Sequence, residues 1–120
     1  MGLKAQKSAL VALRQRYTQD LSDVRNRLNQ IGRSDRVQIP EDLPSQESGV
    51  ETALFERERD MAFEHEYIST LKMIDLALQR IEEGTYTKCM RCGNEVGAER
   101  QTALPYAILC IRDQELEERI

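Results

Sequence analysis

The sequence contains no tryptophan, two phenylalanines and only 5% aromatic residues, while 32% of it is charged. Too few large side chains are available to fill one broad globular core. Helices that bury a narrow apolar stripe and solvate the remainder suit the 40% hydrophobic content better. No apolar run approaches the roughly 18 residues of a membrane span, and the N-terminus lacks the apolar stretch of a signal peptide. The expectation is a cytoplasmic protein with no membrane partner, about one domain long at 120 residues. Basic charge is short as well: 17 Lys and Arg stand against 21 Asp and Glu, a net charge of −4. Wrapping DNA phosphates as the main activity is thereby disfavoured, and no sequence-specific DNA contact is expected. There is no glycine-rich nucleotide loop, and no Ser-His-Asp or Cys-His set can be assembled, so no enzyme is expected. The one histidine, His65, lies mid-helix and reads as a surface residue.

Proline and glycine are also scarce, three and six residues, and their absences define the elements. Residues 4–31 contain neither, and Tyr17, Leu21, Val24, Leu28 and Ile31 recur at spacings of four and three, the heptad seam of a long helix. Leu3 and Leu10 carry the stripe backward, with Leu13 one place beside it. Gly32 is placed to close this helix as a left-handed C′ residue. Pro40 and Pro44 break the pattern, so residues 34–48 read as a connection. Ser48 and Glu51 have capping-box spacing and predict a second helix from Gly49 or Val50 to a stop at Gly84. Its seam reads Val50, Leu54, Met61, Ile68 and Leu71, with Tyr67, Leu71, Ile74, Leu78 and Ile81 continuing it. Arg57 and Glu64 fall where the heptad expects apolar residues, either as a local register adjustment or as a polar break left for a partner. The run Glu56 to Asp60 reads as a solvated helical face.

Charge predicts how the two helices meet. Residues 4–33 carry seven bases and two acids, and residues 49–83 carry nine acids and four bases. Opposite flanks favour antiparallel pairing, although each exposed pair contributes under about 1 kcal/mol. The expected fold is mainly α: a long antiparallel helical hairpin, or coiled coil, over residues 1–84, with a tip loop at about 34–48. A small module over residues 85–120 ends in a short helix. Ile81, Tyr86, Val96, Leu104, Leu109 and Leu116 are the expected packing residues between that module and the hairpin base.

The three cysteines lie in CMRCGNEVGAERQTALPYAILCIRD, residues 89–113. Cys89 and Cys92 form a CxxC followed by Gly93, as in a zinc knuckle whose glycine takes the positive φ of the turn. Cys110 follows at a gap suited to a second pair of ligands. Where a fourth thiolate would stand, the chain has Asp113, a harder ligand. In a reducing compartment this pattern reads as metal ligation before disulfides. Two readings stay open: a four-coordinate structural zinc on Cys89, Cys92, Cys110 and Asp113, or a finger held by packing alone in which Asp113 marks decay of the site.

The run CGNEVGAERQTALPYAILC resembles the zinc-finger region of the DksA/TraR family of bacterial transcription regulators. Cys89, Cys92, Gly93, Arg100, Ala103, Pro105, Leu109, Cys110 and Ile111 carry the resemblance, and Asp113 departs from it. The resemblance implies a zinc cofactor and a helical hairpin that binds RNA polymerase directly and enters its secondary channel. In that family acidic residues at the hairpin tip act near the polymerase catalytic centre. Asp35, Glu41 and Asp42 are the candidates by position, although the usual tip pattern DxxDxA is absent and an ordinary solvated loop is the competing reading. The alternative function is an interaction or adaptor protein that keeps the scaffold without regulating polymerase. Direct DNA binding by the finger would have only Lys88, Arg91, Arg100 and Arg112 to work with.

Overall fold

A pair of long helices supplies most of the described residues: α1 spans Leu3–Ser34 and α2 spans Gln46–Glu83. The short helices α3, Ala98–Ala103, and α4, Ile111–Glu118, follow. The computed structural model describes the backbone of residues 3–34 and 46–118 and the side chains of residues 3–30 and 52–118. Among the described residues there is no named strand, only an isolated antiparallel bridge between Lys88 and Glu95. No helix among them is long and apolar enough to cross a membrane. Mainly helical architecture with a C-terminal finger is therefore the observed fold class.

Both long helices overrun their expected ends. Gly32 lies inside α1 and does not close it. No proline intervenes before Pro40, and one interior glycine costs only about 1 kcal/mol relative to alanine. At the other side α2 begins at Gln46, ahead of Ser48, so Gly49 is helical too. Pro44 limits how much earlier a helix could start. The far end of α2 matches its sequence signal. Gly84 has φ 78°, its N–H bonds Ile81 O at 3.2 Å, and the Thr85 N–H bonds Arg80 O at 2.9 Å. These are the two bonds of a Schellman stop, and glycine adopts the required left-handed backbone without strain.

Two compact units divide the chain, one comprising Met1–Tyr17 and Ser69–Ile120, the other Thr18–Ile68. In the first, α1 and α2 run antiparallel, with Lys7 paired to Glu82 at 2.9 Å and Arg14 to Asp75 at 2.7 Å. Leu10, Ile74, Ala77, Tyr86 and Ile108 form its buried cluster, joined by Leu3, Leu13, Tyr17, Leu78, Ile81 and Leu109. Thus Ile81, Tyr86 and Leu109 take part in the expected packing. Leu104 and Leu116 do not, for both side chains are exposed. Val96 is buried in a second cluster with Cys89 and Ala107.

In the unit Thr18–Ile68 the helices are again antiparallel, with Arg25 paired to Glu64 at 3.3 Å and Arg27 to Asp60 at 3.2 Å. Leu21 and Val24 are buried on the α1 side. The α2 side corrects the expected seam: Leu54 and Met61 are 55% and 53% exposed, whereas Asp60 is 1% exposed. Counting back from Ile81 by alternating threes and fours gives Leu78, Ile74, Leu71, Tyr67, Glu64 and Asp60. Leu54 and Met61 sit one residue past that line, about 100° around the helix. The run Glu56 to Asp60 is therefore not wholly a solvated face, because its last member points inward. His65 is exposed, in agreement with its reading as a surface residue.

Candidate metal centre

The finger is built from a short turn-rich hairpin and two single-purpose helices. Val96 N–H bonds Thr87 O at 2.9 Å and Cys89 N–H bonds Asn94 O at 2.7 Å, drawing residues 87–96 into a hairpin. Gly93, at φ 78°, closes its turn and donates to Cys89 O at 3.0 Å, so the left-handed residue sits directly after the CxxC. The far side of the site hangs on α4. Gln114 N–H bonds Cys110 O at 2.9 Å, which places Cys110 at the start of that helix. Asp113 then lies three residues on, over the same face of its first turn. Met90 N–H bonds Ile108 O at 2.8 Å and ties the two halves together.

Several surrounding backbone carbonyls accept from side chains that the sequence reading did not single out for this work. Buried Gln101, on α3, donates its amide to Tyr86 O at 2.7 Å and to Ala107 O at 3.2 Å. Tyr86 donates its hydroxyl to Pro105 O at 2.8 Å. Arg100 donates to Leu109 O at 3.2 Å, and Arg80 reaches from the end of α2 to Thr85 O and Lys88 O at 3.0 and 2.8 Å. Gln101 stands in the polar run Glu99 to Thr102, so nothing in the sequence marked it as the buried member.

Cys89, Cys92, Cys110 and Asp113 come together with their donor atoms all within 4.8 Å of one another. Cys92 Sγ and Cys110 Sγ are 3.8 Å apart, and Asp113 Oδ2 lies 3.0 Å from Cys89 Sγ and 3.4 Å from Cys110 Sγ. Two thiolates at about 2.3 Å from a tetrahedral zinc stand about 3.8 Å apart, and a thiolate and an oxygen roughly 3.5 Å apart. The observed edges fit those lengths, apart from a shorter Cys89–Asp113 edge that would open slightly. Cys89 and Asp113 are 2% and 6% exposed, whereas Cys92 is exposed.

Electrostatics point the same way. Burial and the hydrogen bond to Asp113 both act to raise Cys89, but backbone N–H groups of Cys92, Cys110 and Arg91 directed at its sulfur outweigh them, and its pKa falls below the ordinary thiol value. Asp113, accepting first from Cys89 and then from Cys92 and Cys110, is held below the usual carboxylate range. For Cys92 the Asn94 amide favours the thiolate, yet the neighbouring carboxylate and the two other thiols prevail and push it up to about 12. Four acidic groups this close cannot all carry charge unless a cation balances them. A buried carboxylate facing three thiols, with backbone donors aimed at sulfur, suits a divalent ion.

Residues 84–119 match the prokaryotic dksA/traR C4-type zinc finger. The finger, under a third of the chain, is therefore of the DksA/TraR type. Its cofactor is accordingly zinc in a structural role, which Cys89, Cys92, Cys110 and Asp113 would hold. Held by these four side chains, such an ion would join the knuckle to α4. An uncharacterized protein of Aquifex aeolicus (strain VF5) is 46% identical over 52 residues, 43% of this chain and 36% of that protein. The uncharacterized protein YteA of Bacillus subtilis (strain 168) is 43% identical over 56 residues, 47% of this chain and 23% of YteA. The match thus spans well under half the length of either relative. In fold, the chain is similar to the transcription factor DksA2 from Pseudomonas aeruginosa, with a TM-score of 0.68 over 97% of this chain and 82% of that one, at 23% identity. Asp35, Glu41 and Asp42 lie outside the described residues.

Proposed function

We propose that this protein is a cytoplasmic transcription regulator of the DksA/TraR family that binds RNA polymerase directly, with the hairpin of residues 1–84 entering the secondary channel and the module of residues 85–120 at its base. The observation that carries this reading is the likeness in fold to the transcription factor DksA2 over 97% of the chain. The finger supports a protein partner over DNA. Lys88 is paired with Glu95, Arg91 with Glu117, and Arg100 with a backbone carbonyl, so much of its positive charge is already engaged. Co-purification with core RNA polymerase at low salt, followed by transcription in vitro with and without the protein, tests the reading. Retention of no polymerase would overturn it.

A second reading, an adaptor that keeps the scaffold without acting on polymerase, is favoured by the missing DxxDxA pattern. Changing Asp35, Glu41 and Asp42 together to alanine separates the two. A working tip predicts loss of the transcriptional effect with polymerase binding retained. Parallel loss of both would make the loop an anchor, and an unchanged effect would remove these acids from the mechanism.

A further inference from the structure

We propose that Asp113 sets the metal preference of the finger: three thiolates and one carboxylate oxygen keep Zn2+ while withholding the advantage that a fourth thiolate would give a softer, more thiophilic ion such as Cd2+. The inference concerns the chemistry of the centre and is independent of what the hairpin binds, so the two stand or fall separately.

Geometry gives Asp113 the role of a ligand and not of a bystander. Its side chain is almost wholly buried, it springs from the first turn of α4 beside Cys110, and its Oδ2 stands 3.0 and 3.4 Å from two of the sulfurs. The Cys110–Asp113 edge agrees with the thiolate–oxygen spacing of a tetrahedral zinc, as the Cys92–Cys110 edge agrees with the thiolate–thiolate spacing. The oxygen thus stands where it would serve as the fourth ligand.

Charge does not distinguish this centre from a four-cysteine one. A carboxylate and a thiolate each bring one negative charge, so either set leaves the same net charge around a divalent ion. What changes is softness. Thiolates favour soft ions and carboxylates favour harder ones, while zinc accepts both. Replacing one sulfur by oxygen should therefore weaken Cd2+ more than Zn2+. Exposure of Cys92 provides the side from which ions can exchange with solvent, so the preference is expressed at equilibrium.

The full chain, stripped of metal and refolded, is titrated with Zn2+ and Cd2+ separately against a chromophoric chelator, for the wild type, Asp113→Cys and Asp113→Asn. The Cd2+ to Zn2+ affinity ratio is expected to rise several-fold in D113C. In D113N both ions should weaken by at least the roughly 10–100-fold that even an outer-sphere partner contributes. Co2+ supplies a direct count of sulfurs: the thiolate-to-metal charge-transfer band should grow in D113C in the proportion of four thiolates to three, and stay at three in D113N. An equal Cd2+ to Zn2+ ratio in wild type and D113C would overturn the proposal. So would a Co2+ band that D113C leaves unchanged, or D113N binding both ions as tightly as the wild type, a result that stands even if D113C folds poorly.

Discussion

A carboxylate that is 1% exposed needs a partner, and Asp60 finds it on the facing helix. Arg27 donates through Nε and a terminal nitrogen, each at 3.2 Å, and Arg59 stands 3.7 Å away. The hydrogen bond to Asp60 raises the Arg27 pKa above its ordinary value, ahead of the opposing effect of burial. Buried pairs of this kind contribute little net stability but are costly to break from one side. Arg27→Ala should cost about 1–3 kcal/mol, less than a fully enclosed pair, because Arg27 is half-exposed and Arg59 remains. Removing both charges, as in R27L/D60L, should recover most of that loss in urea unfolding. If the double variant is as unstable as R27A, the stranded charge is not the source. Tyr86 offers the pH counterpart. Burial raises its pKa above 10.0, so the folded state favours the neutral phenol. That contribution is fully present below pH 10.0 and is lost as pH climbs from there through the raised native value. Tyr86→Phe should lose about 1 kcal/mol at neutral pH, from the bond to Pro105, and show a shallower alkaline decline in its denaturation midpoint than the wild type. Equal alkaline slopes would remove Tyr86 as the cause.

At the scale of the helices, the seam decides which substitutions matter. Ile74 and Leu10 are wholly buried in one cluster, so Ile74→Ala should cost about 2–5 kcal/mol by thermal or chemical unfolding. Leu54→Asp, at a position 55% exposed, should cost under about 1 kcal/mol, mostly through helix propensity. A large loss in L54D would show that the expected seam, and not the observed one, is correct. The Tyr17, Leu21, Val24 stripe of α1 and the Leu71 to Ile81 stripe of α2 were legible in the sequence because their inward positions are apolar. Farther back along α2 the inward positions are Glu64 and Asp60, and the nearby apolar letters Leu54 and Met61 belong to the outer face. A pattern of apolar residues alone follows the letters and slips by one place, whereas the unbroken count from Ile81 does not. The opposite charge of the helices was informative at both levels, since Lys7, Arg14, Arg25 and Arg27 all find acids on α2. The gathering of Cys89, Cys92, Cys110 and Asp113 was legible because the spacing within each half, Cys89 to Cys92 and Cys110 to Asp113, is local. Its supports, Gln101 and Arg80, were not, because they serve backbone carbonyls that only the folded turns bring within reach.

Across the whole chain, dependence on metal should be unequally shared. All four candidate ligands belong to the unit of Met1–Tyr17 and Ser69–Ile120, as does the cluster around Leu10, Ile74 and Tyr86. The unit Thr18–Ile68 has its own buried Leu21 and Val24 and its own ion pairs, Arg25–Glu64 and Arg27–Asp60. Structural zinc contributes on the order of 10 kcal/mol or more to the folding of isolated finger peptides. The bonds from Tyr86, Gln101 and Arg100 inside this finger, at about 1 kcal/mol each, cannot replace it. The apolar contacts of Leu10 with Ile74 and Ala77 do not pass through the ligands, and they should outlast the metal. Removing zinc with a chelator should therefore abolish amide-exchange protection across residues 85–113 and reduce it in residues 74–81. Protection in residues 18–30 and 60–68 should change little. Cys92→Ser should reproduce that pattern without chelator. Hydrogen exchange read by mass spectrometry checks both, with zinc content measured on the same samples. Unchanged protection in residues 85–113 after the metal is gone would mean that packing alone holds the finger, and a collapse extending evenly through residues 18–30 would mean that the two units do not fold separately.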